Sequence, residues 1–172
     1  MSMQTRKKES GGSLTETMIA VMLLMVMGAG MTAVFGFCTG TNKSQGEIAT
    51  RTTEYAQDKM EQLTALSYLD GSTNTTVYPS APTGGTGLGG VMAGNATVGG
   101  TARGAAVLNY VDYLDVNGNL SVTGALYTRQ WSITTNAAGN LKTITVVVYA
   151  SSAQGPGAAP SSTLISMKSN NQ

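Results

Sequence analysis

Histidine is absent from this chain of 172 residues, cysteine and tryptophan each occur once, phenylalanine occurs twice, and charged residues make up only 11%. Without histidine there is no Ser-His or Cys-His nucleophile pair and no imidazole metal ligand. The lone Cys38 can neither close an intrachain disulfide nor build a thiolate zinc site. Charge is balanced as well as scarce. The formal net charge is +1, and seven of the ten Lys and Arg residues are scattered singly, so the chain lacks the basic patch that binds nucleic acid by counterion release. These shortages argue against a soluble metabolic enzyme and against a nucleic-acid binder.

What is present is segregated along the chain. Arg6, Lys7 and Lys8 cluster near the start, 26 residues from Thr17 to Asn42 then pass without a charge, and 16 of the 20 positions from Met18 to Phe37 are apolar. At about 1.5 Å of rise per residue, a helix of that length covers about 30 Å, the hydrocarbon thickness of a bilayer. A basic cluster before the run and the lack of one after it place the N-terminus in the cytoplasm and the remainder outside. The run ends in Phe35-Gly36-Phe37-Cys38, which does not fit the small-residue cleavage site of a secretory signal. At its front stands Glu16, a carboxylate at the mouth of a membrane helix, where charge is costly and marks function.

The stretch Lys7-Lys8-Glu9-Ser10-Gly11-Gly12-Ser13-Leu14-Thr15-Glu16, followed by Thr17-Met18-Ile19-Ala20-Val21, resembles the processing motif of type IV prepilins and type II secretion pseudopilins. In that family a basic leader ends in Gly, a peptidase cuts behind it and methylates the new N-terminus, and Glu is the fifth mature residue. The resemblance implies cleavage between Gly11 and Gly12, methylation of Gly12, and a role for Glu16 in assembly. The family usually has a large apolar first mature residue where this chain has Gly12, and a cut after Gly12 instead leaves Glu16 fourth. It implies as partners other pilin subunits, the prepilin peptidase, an inner-membrane platform and an ATPase motor. It implies no cofactor and no catalysis by this chain.

A physical reason for Glu16 stands beside the resemblance. After cleavage, the cationic α-amino group of Gly12 lies one helical turn before Glu16, and charges entering an apolar bundle must be paired. In a filament, Glu16 of one subunit meeting the N-terminus of a neighbour sets the axial register; the plainer alternative is that Glu16 caps the helix dipole. Met18, Met22, Met25, Met27 and Met31 suit a helix that packs first in lipid and later against other helices. Gly28-Ala29-Gly30 allows either local unwinding or close helix packing.

After the polar interruption Thr39-Gly40-Thr41-Asn42, the spacing of Ile48, Tyr55, Ala56, Met60, Leu63, Leu66 and Leu69 predicts an amphipathic helix from Glu47 to Leu69. Residues 71–105 hold 10 of the 22 glycines and a single charge, Arg103, and read as a loop with little to bury. Within it, Gly85-Thr86-Gly87-Leu88-Gly89-Gly90 matches the dinucleotide fingerprint only formally, with no strand before it and no helix after it. Period-two alternation then predicts strands at Val107 to Val116, Tyr127 to Thr134, Thr143 to Tyr149 and Thr163 to Lys168, with a hairpin turn at Asn136 to Asn140. Asp115, Asn117 and Asn119 carry oxygen at alternate positions and are a candidate calcium site. Asn117-Gly118 is equally a hairpin signal. Asp112 and Asp115 show no pattern that would make them an acid and base pair. Tyr55 to Leu63, Tyr127 to Ile133 and Leu141 to Val146 resemble the matching segments of PilV-type minor pilins.

The expected fold is α+β. Residues 1–11 are a prepilin leader, 12–38 a hydrophobic transmembrane and assembly helix, and 39–70 its amphipathic periplasmic half. Residues 71–105 form a Gly/Thr-rich loop, and 106–172 an antiparallel sheet of about four strands. The expected function is that of a structural subunit, a minor pilin, inserted in the inner membrane and later in a surface filament. The alternatives are a type II secretion pseudopilin and an uncleaved single-pass anchored binding or adhesion domain.

Overall fold

The computed structural model describes residues 13–151 and 159–170. Among the described residues there is one helix, α1 (Leu14–Ala65), and five strands: β1 (Thr97–Gly99), β2 (Val111–Leu114), β3 (Tyr127–Thr135), β4 (Leu141–Ala150) and β5 (Ser161–Ser169). This is the expected α+β architecture, a long N-terminal helix with its second half packed on an antiparallel sheet. The chain divides into two compact units, Met1–Asn42 and Lys43–Gln172.

In the first unit, Leu, Met and Ala supply helix propensity, and no proline interrupts them. Gly28, Gly30, Gly36 and Gly40 each cost about 1 kcal/mol against Ala in water, yet the helix runs through all four. It also runs through the stretch from Thr39 to Asn42. The hydroxyls there turn back on the helix, Thr39 Oγ1 donating to the Phe35 carbonyl at 2.8 Å and Thr41 Oγ1 to the Phe37 carbonyl at 2.9 Å. A polar side chain that satisfies itself inside the helix is no helix stop.

In the second unit, α1 buries Ile48, Thr52, Tyr55, Ala56, Lys59 and Leu63, a stripe at steps of three and four. It ends at Ala65, short of the predicted Leu69, where cations from the sheet meet carbonyls of its last turn and of the residues just beyond it. Lys168 Nζ donates to the carbonyls of Thr64, at 2.6 Å, and of Leu66, and Lys142 Nζ donates to that of Tyr68 at 2.7 Å. Groups that have no partner within the helix are thus satisfied, and the positive charges favour that end of the dipole.

The strands lie in the order β1-β3-β4-β5, with β2 also paired to β3, and every pairing is antiparallel. Val111↔Gln130 to Leu114↔Tyr127 and Thr97↔Thr134 to Gly99↔Ser132 fall on the same edge of β3. Between them, the Trp131 carbonyl accepts from Gly100 N at 3.0 Å and the Trp131 N–H donates to the Tyr110 carbonyl at 3.1 Å. One edge strand is therefore split in two by an excursion of the chain. Gly99 permits it: at φ +79° its absent Cβ would lie 2.3 Å from the Trp131 carbonyl oxygen. β1 lies inside the stretch read from sequence as loop, since three residues are too few to show a period of two.

Tyr127, Trp131 and Ile133 of β3 and Ile144, Val146 and Val148 of β4 face Ala56 and Leu63 of α1 in one core. Each such burial contributes about 1.5–3 kcal/mol for a large apolar side chain. The Gly-rich segment supplies Leu88, fully buried in the same core. Asp70 organises that segment. Its carboxylate accepts from Ser72 N and Thr73 N at 3.0 Å each and from Thr73 Oγ1 at 2.6 Å, while its carbonyl accepts from Leu88 N and Gly90 N at 2.8 and 2.9 Å. Burial works against the Asp70 charge, but these hydrogen bonds prevail and hold its pKa below the ordinary value. A Cβ on Gly87 would lie 2.1 Å from Asp70 Oδ1. The glycines that mimic a nucleotide fingerprint serve close packing within the segment, Gly87 against Asp70 and Gly85 against the backbone of Thr73 and Asn74, and among the described residues no strand directly precedes them and no helix follows.

Candidate functional site

Every residue from Ser13 to Gly40 is exposed. Phe35 and Phe37 are each 70% exposed, and all five methionines of this stretch lie open on the helix surface. By length and composition this part of α1 is able to cross a membrane. The polar groups within the apolar run are self-satisfied: Thr32 Oγ1 donates to the Gly28 carbonyl at 2.7 Å. That is the requirement for a hydroxyl in hydrocarbon, where water is absent. Nothing lies within 4 Å of the Cβ positions of Gly28, Gly30 and Gly36, which leaves notches on the helix surface. Cys38 is an exposed free thiol on the same helix.

Glu16 sits in the first turn of α1. Its N–H donates to the Ser13 carbonyl at 2.8 Å, and Ser13 Oγ is engaged with Thr15 Oγ1 at 2.7 Å. Among the described residues, the Glu16 carboxylate has no ion-pair partner. Gly11 and Gly12, the expected processing residues, lie outside the described residues.

Asp115, Asn117 and Asn119 come together, but as a turn that faces N–H donors. Asp115 Oδ1 accepts from the N–H groups of Asn117 and Asn119 at 2.8 and 2.9 Å, and Oδ2 accepts from Asn119 Nδ2 at 3.2 Å. These bonds, the Asn119 side chain foremost, lower the Asp115 pKa. Among the described residues no group of three His, Cys, Asp or Glu side chains is placed to hold a metal. The turn is docked on α1 by Tyr55 Oη, which donates to the Val116 carbonyl at 3.1 Å, and by Arg51, which donates to the same carbonyl. Gly118 at φ +83° lets the Tyr55 ring approach to 2.8 Å of its Cβ position.

Asp112 stands apart from Asp115, in a buried charge cluster that the sequence reading did not assemble. Arg129 grips it with two hydrogen bonds, Nε to Oδ1 at 2.8 Å and Nη2 to Oδ2 at 3.0 Å, and Lys59 Nζ lies 2.7 Å from Oδ2. Asp58 Oδ2 adds a second anion 2.7 Å from Arg129 Nη1. Lys59 also donates to the Thr75 carbonyl and stands 4.1 Å from the centre of the Trp131 ring. Burial pushes the Lys59 amine down to about 8, against the pull of Asp112. Burial also opposes the Arg129 charge, but hydrogen bonding to Asp112 and the charge of Asp112 raise its pKa overall. The signal in the sequence was Arg129 at an inward position of an alternating strand, between Tyr127 and Trp131. Its partner Asp112 is set by register, Asp112↔Arg129.

No family model matches the chain, and neither a curated protein nor a solved structure matches it.

Proposed function

We propose that this chain is a structural subunit of a filament built from membrane-anchored precursors. More particularly, we propose a minor pilin of the type IV kind, trimmed behind Gly11, methylated at Gly12 and assembled through α1. The observation that carries the reading is the run from Met18 to Phe37, predominantly apolar and exposed on every side. A surface of that kind is stable only under lipid or under copies of a similar helix, and a filament subunit meets both in turn. The leader motif around Gly11 and Glu16 supports the finer reading, as do the PilV-like segments of α1, β3 and β4. The partners that follow are other pilin subunits, the prepilin peptidase, an inner-membrane platform and its ATPase motor. The precursor lies in the inner membrane with its N-terminus in the cytoplasm, and the mature head lies outside.

Glu16→Val tests the assembly role. The variant keeps an apolar helix and therefore inserts and is processed as the wild type, but it leaves the α-amino group of its neighbour unpaired. Its recovery in filaments sheared from cells should fall at least tenfold, about the effect of 1.4 kcal/mol per contact. Undiminished recovery removes Glu16 from the mechanism.

A further inference from the structure

The two edges of the sheet are built differently. On one side the edge is broken into β1 and β2, whereas β5 on the other is an uninterrupted strand of nine residues, paired with β4 in a single register from end to end. The Pro160 carbonyl accepts from Ala150 N at 3.0 Å, and Asn170 N donates to the Asn140 carbonyl at 2.9 Å. By the antiparallel alternation, even-numbered residues of β5 therefore turn their backbone groups toward β4, and odd-numbered residues turn theirs away from it. The outward N–H and C=O groups of Ser161, Thr163, Ile165 and Met167 have no partner among the described residues. Their side chains are exposed as well, Ile165 by 63% and Met167 by 68%. A free edge is a template for another strand, and proteins block it with proline, a bulge or an outward charge. β5 has none of these, since its single charge, Lys168, is turned to the carbonyls of Thr64 and Leu66.

The strand's own sequence selects the occupant. Residues 152–158 are tethered at both ends, by Ser151 and Ala159, and are too short a segment to lie along the whole of β5. We infer that a second copy of this chain pairs with it, β5 against β5 in antiparallel sense, about a two-fold axis through Ile165. Only that centre overlaps the full strand and sets outward groups opposite outward groups. Ile165 then faces Ile165 of the second copy, and Thr163 faces Met167. The three central pairs exchange about six N–H···O bonds, and their Ile and Met side chains form an apolar seam beside them. Lys168 falls opposite Ser162, so no like charges meet. A parallel pairing about a two-fold axis fails, because a parallel ladder needs the outward residues of the two strands offset by one. Thr52 and Thr53 meet Ser162, and Thr64 meets Lys168, so α1 runs in the same sense as β5. The axis stands across the sheet and reverses both. The contact thus joins copies whose helices point opposite ways; it belongs to the head, is separate from any parallel packing of α1, and does not rest on the filament reading.

The test is disulfide trapping on the full chain in detergent micelles, with the native thiol removed as Cys38→Ser. At the proposed axis the two Ile165 Cα atoms lie about 5.5 Å apart, within disulfide reach. Thr163 and Met167 each stand about 14 Å from their own counterparts, beyond it. Under mild oxidation, Ile165→Cys should yield at least about tenfold more covalent dimer than Thr163→Cys or Met167→Cys alone, and a mixture of those two chains should crosslink about as well as Ile165→Cys. Ile165→Lys, a change at an exposed position, sets two like charges at the axis. Added to the Thr163→Cys and Met167→Cys chains, it should cut their joint trapping at least about tenfold while leaving the thermal midpoint unchanged. Equal trapping at all three positions, stronger trapping by Thr163→Cys alone, indifference to Ile165→Lys, or no dimer above the Cys38→Ser background overturns the proposal. The last is the result expected if the edge serves a strand of another protein.

Discussion

Replacing Asp112 with Ala removes the anion that both Lys59 and Arg129 share. Three charge-assisted contacts disappear together, at 2.7, 2.8 and 3.0 Å, and they leave two cations whose side chains are 0% and 4% exposed. Arg129 retains Asp58, itself 56% exposed, while Lys59 retains the Thr75 carbonyl and the Trp131 ring. Breaking a buried pair from one side costs about 3–5 kcal/mol, much of it from the charge left behind. A domain of this size loses about 4 °C of Tm per kcal/mol, so the midpoint should fall by about 12–20 °C. The only tryptophan, Trp131, lies against Lys59, so near-ultraviolet circular dichroism of the full chain in detergent reports on the cluster itself. Asp112→Asn keeps the shape and part of the hydrogen bonding and should fall between the two. A drop of less than about 3 °C for Asp112→Ala would refute the reasoning, since it would mean that the two cations are solvated without the carboxylate.

The Lys59 amine titrates near 8 in the folded chain, below its ordinary value of 10.5. The unfolded chain therefore binds more protons between those values, so this group makes stability rise with pH from about 8 to about 10.5. Denaturant midpoints measured across that window should climb more steeply in the wild type than in Lys59→Met, and parallel pH profiles would sink the assignment. Gly99→Ala forces a Cβ into the Trp131 carbonyl at a left-handed φ and should cost about 3 kcal/mol or more. Gly84→Ala, at φ +90° with open space around it, should cost only about 1 kcal/mol. Equal losses in thermal unfolding would show that the close approach of β1 to β3 does not constrain the edge.

The parts of the fold that follow local periodicity were legible in the sequence. The apolar run from Met18 to Phe37, the stripe from Ile48 to Leu63, and the alternation of β3, β4 and β5 each repeat often enough to declare an element. The turns at Asn117-Gly118 and Asn136 to Asn140 carry their own chemistry. What was not legible depends on contacts between distant residues. β1 is too short to show a period, and its pairing with β3 follows from the split edge. Lys142 and Lys168 read as ordinary strand polarity, yet the sheet register places Lys168 at the Thr64 carbonyl in the last turn of α1 and Lys142 at the Tyr68 carbonyl in the chain that follows. Arg129 on an inward strand position announced a buried charge, but its partners at 58 and 112 are fixed only by tertiary packing. Likewise, Leu88 enters the core because Asp70 folds the glycine-rich chain back on itself. Glu16 and the exposed part of α1 were visible from charge and hydropathy, because both are properties of the local sequence.

The most direct test of the filament account is the intact mass of the protein extracted from membranes of cells carrying the full processing machinery. The account predicts the mass of residues 12–172 plus one methyl group, with fragmentation placing the methyl on the Gly12 amine. Recovery of the chain with residues 1–11 still attached would contradict it and leave a single-pass anchored domain in its place.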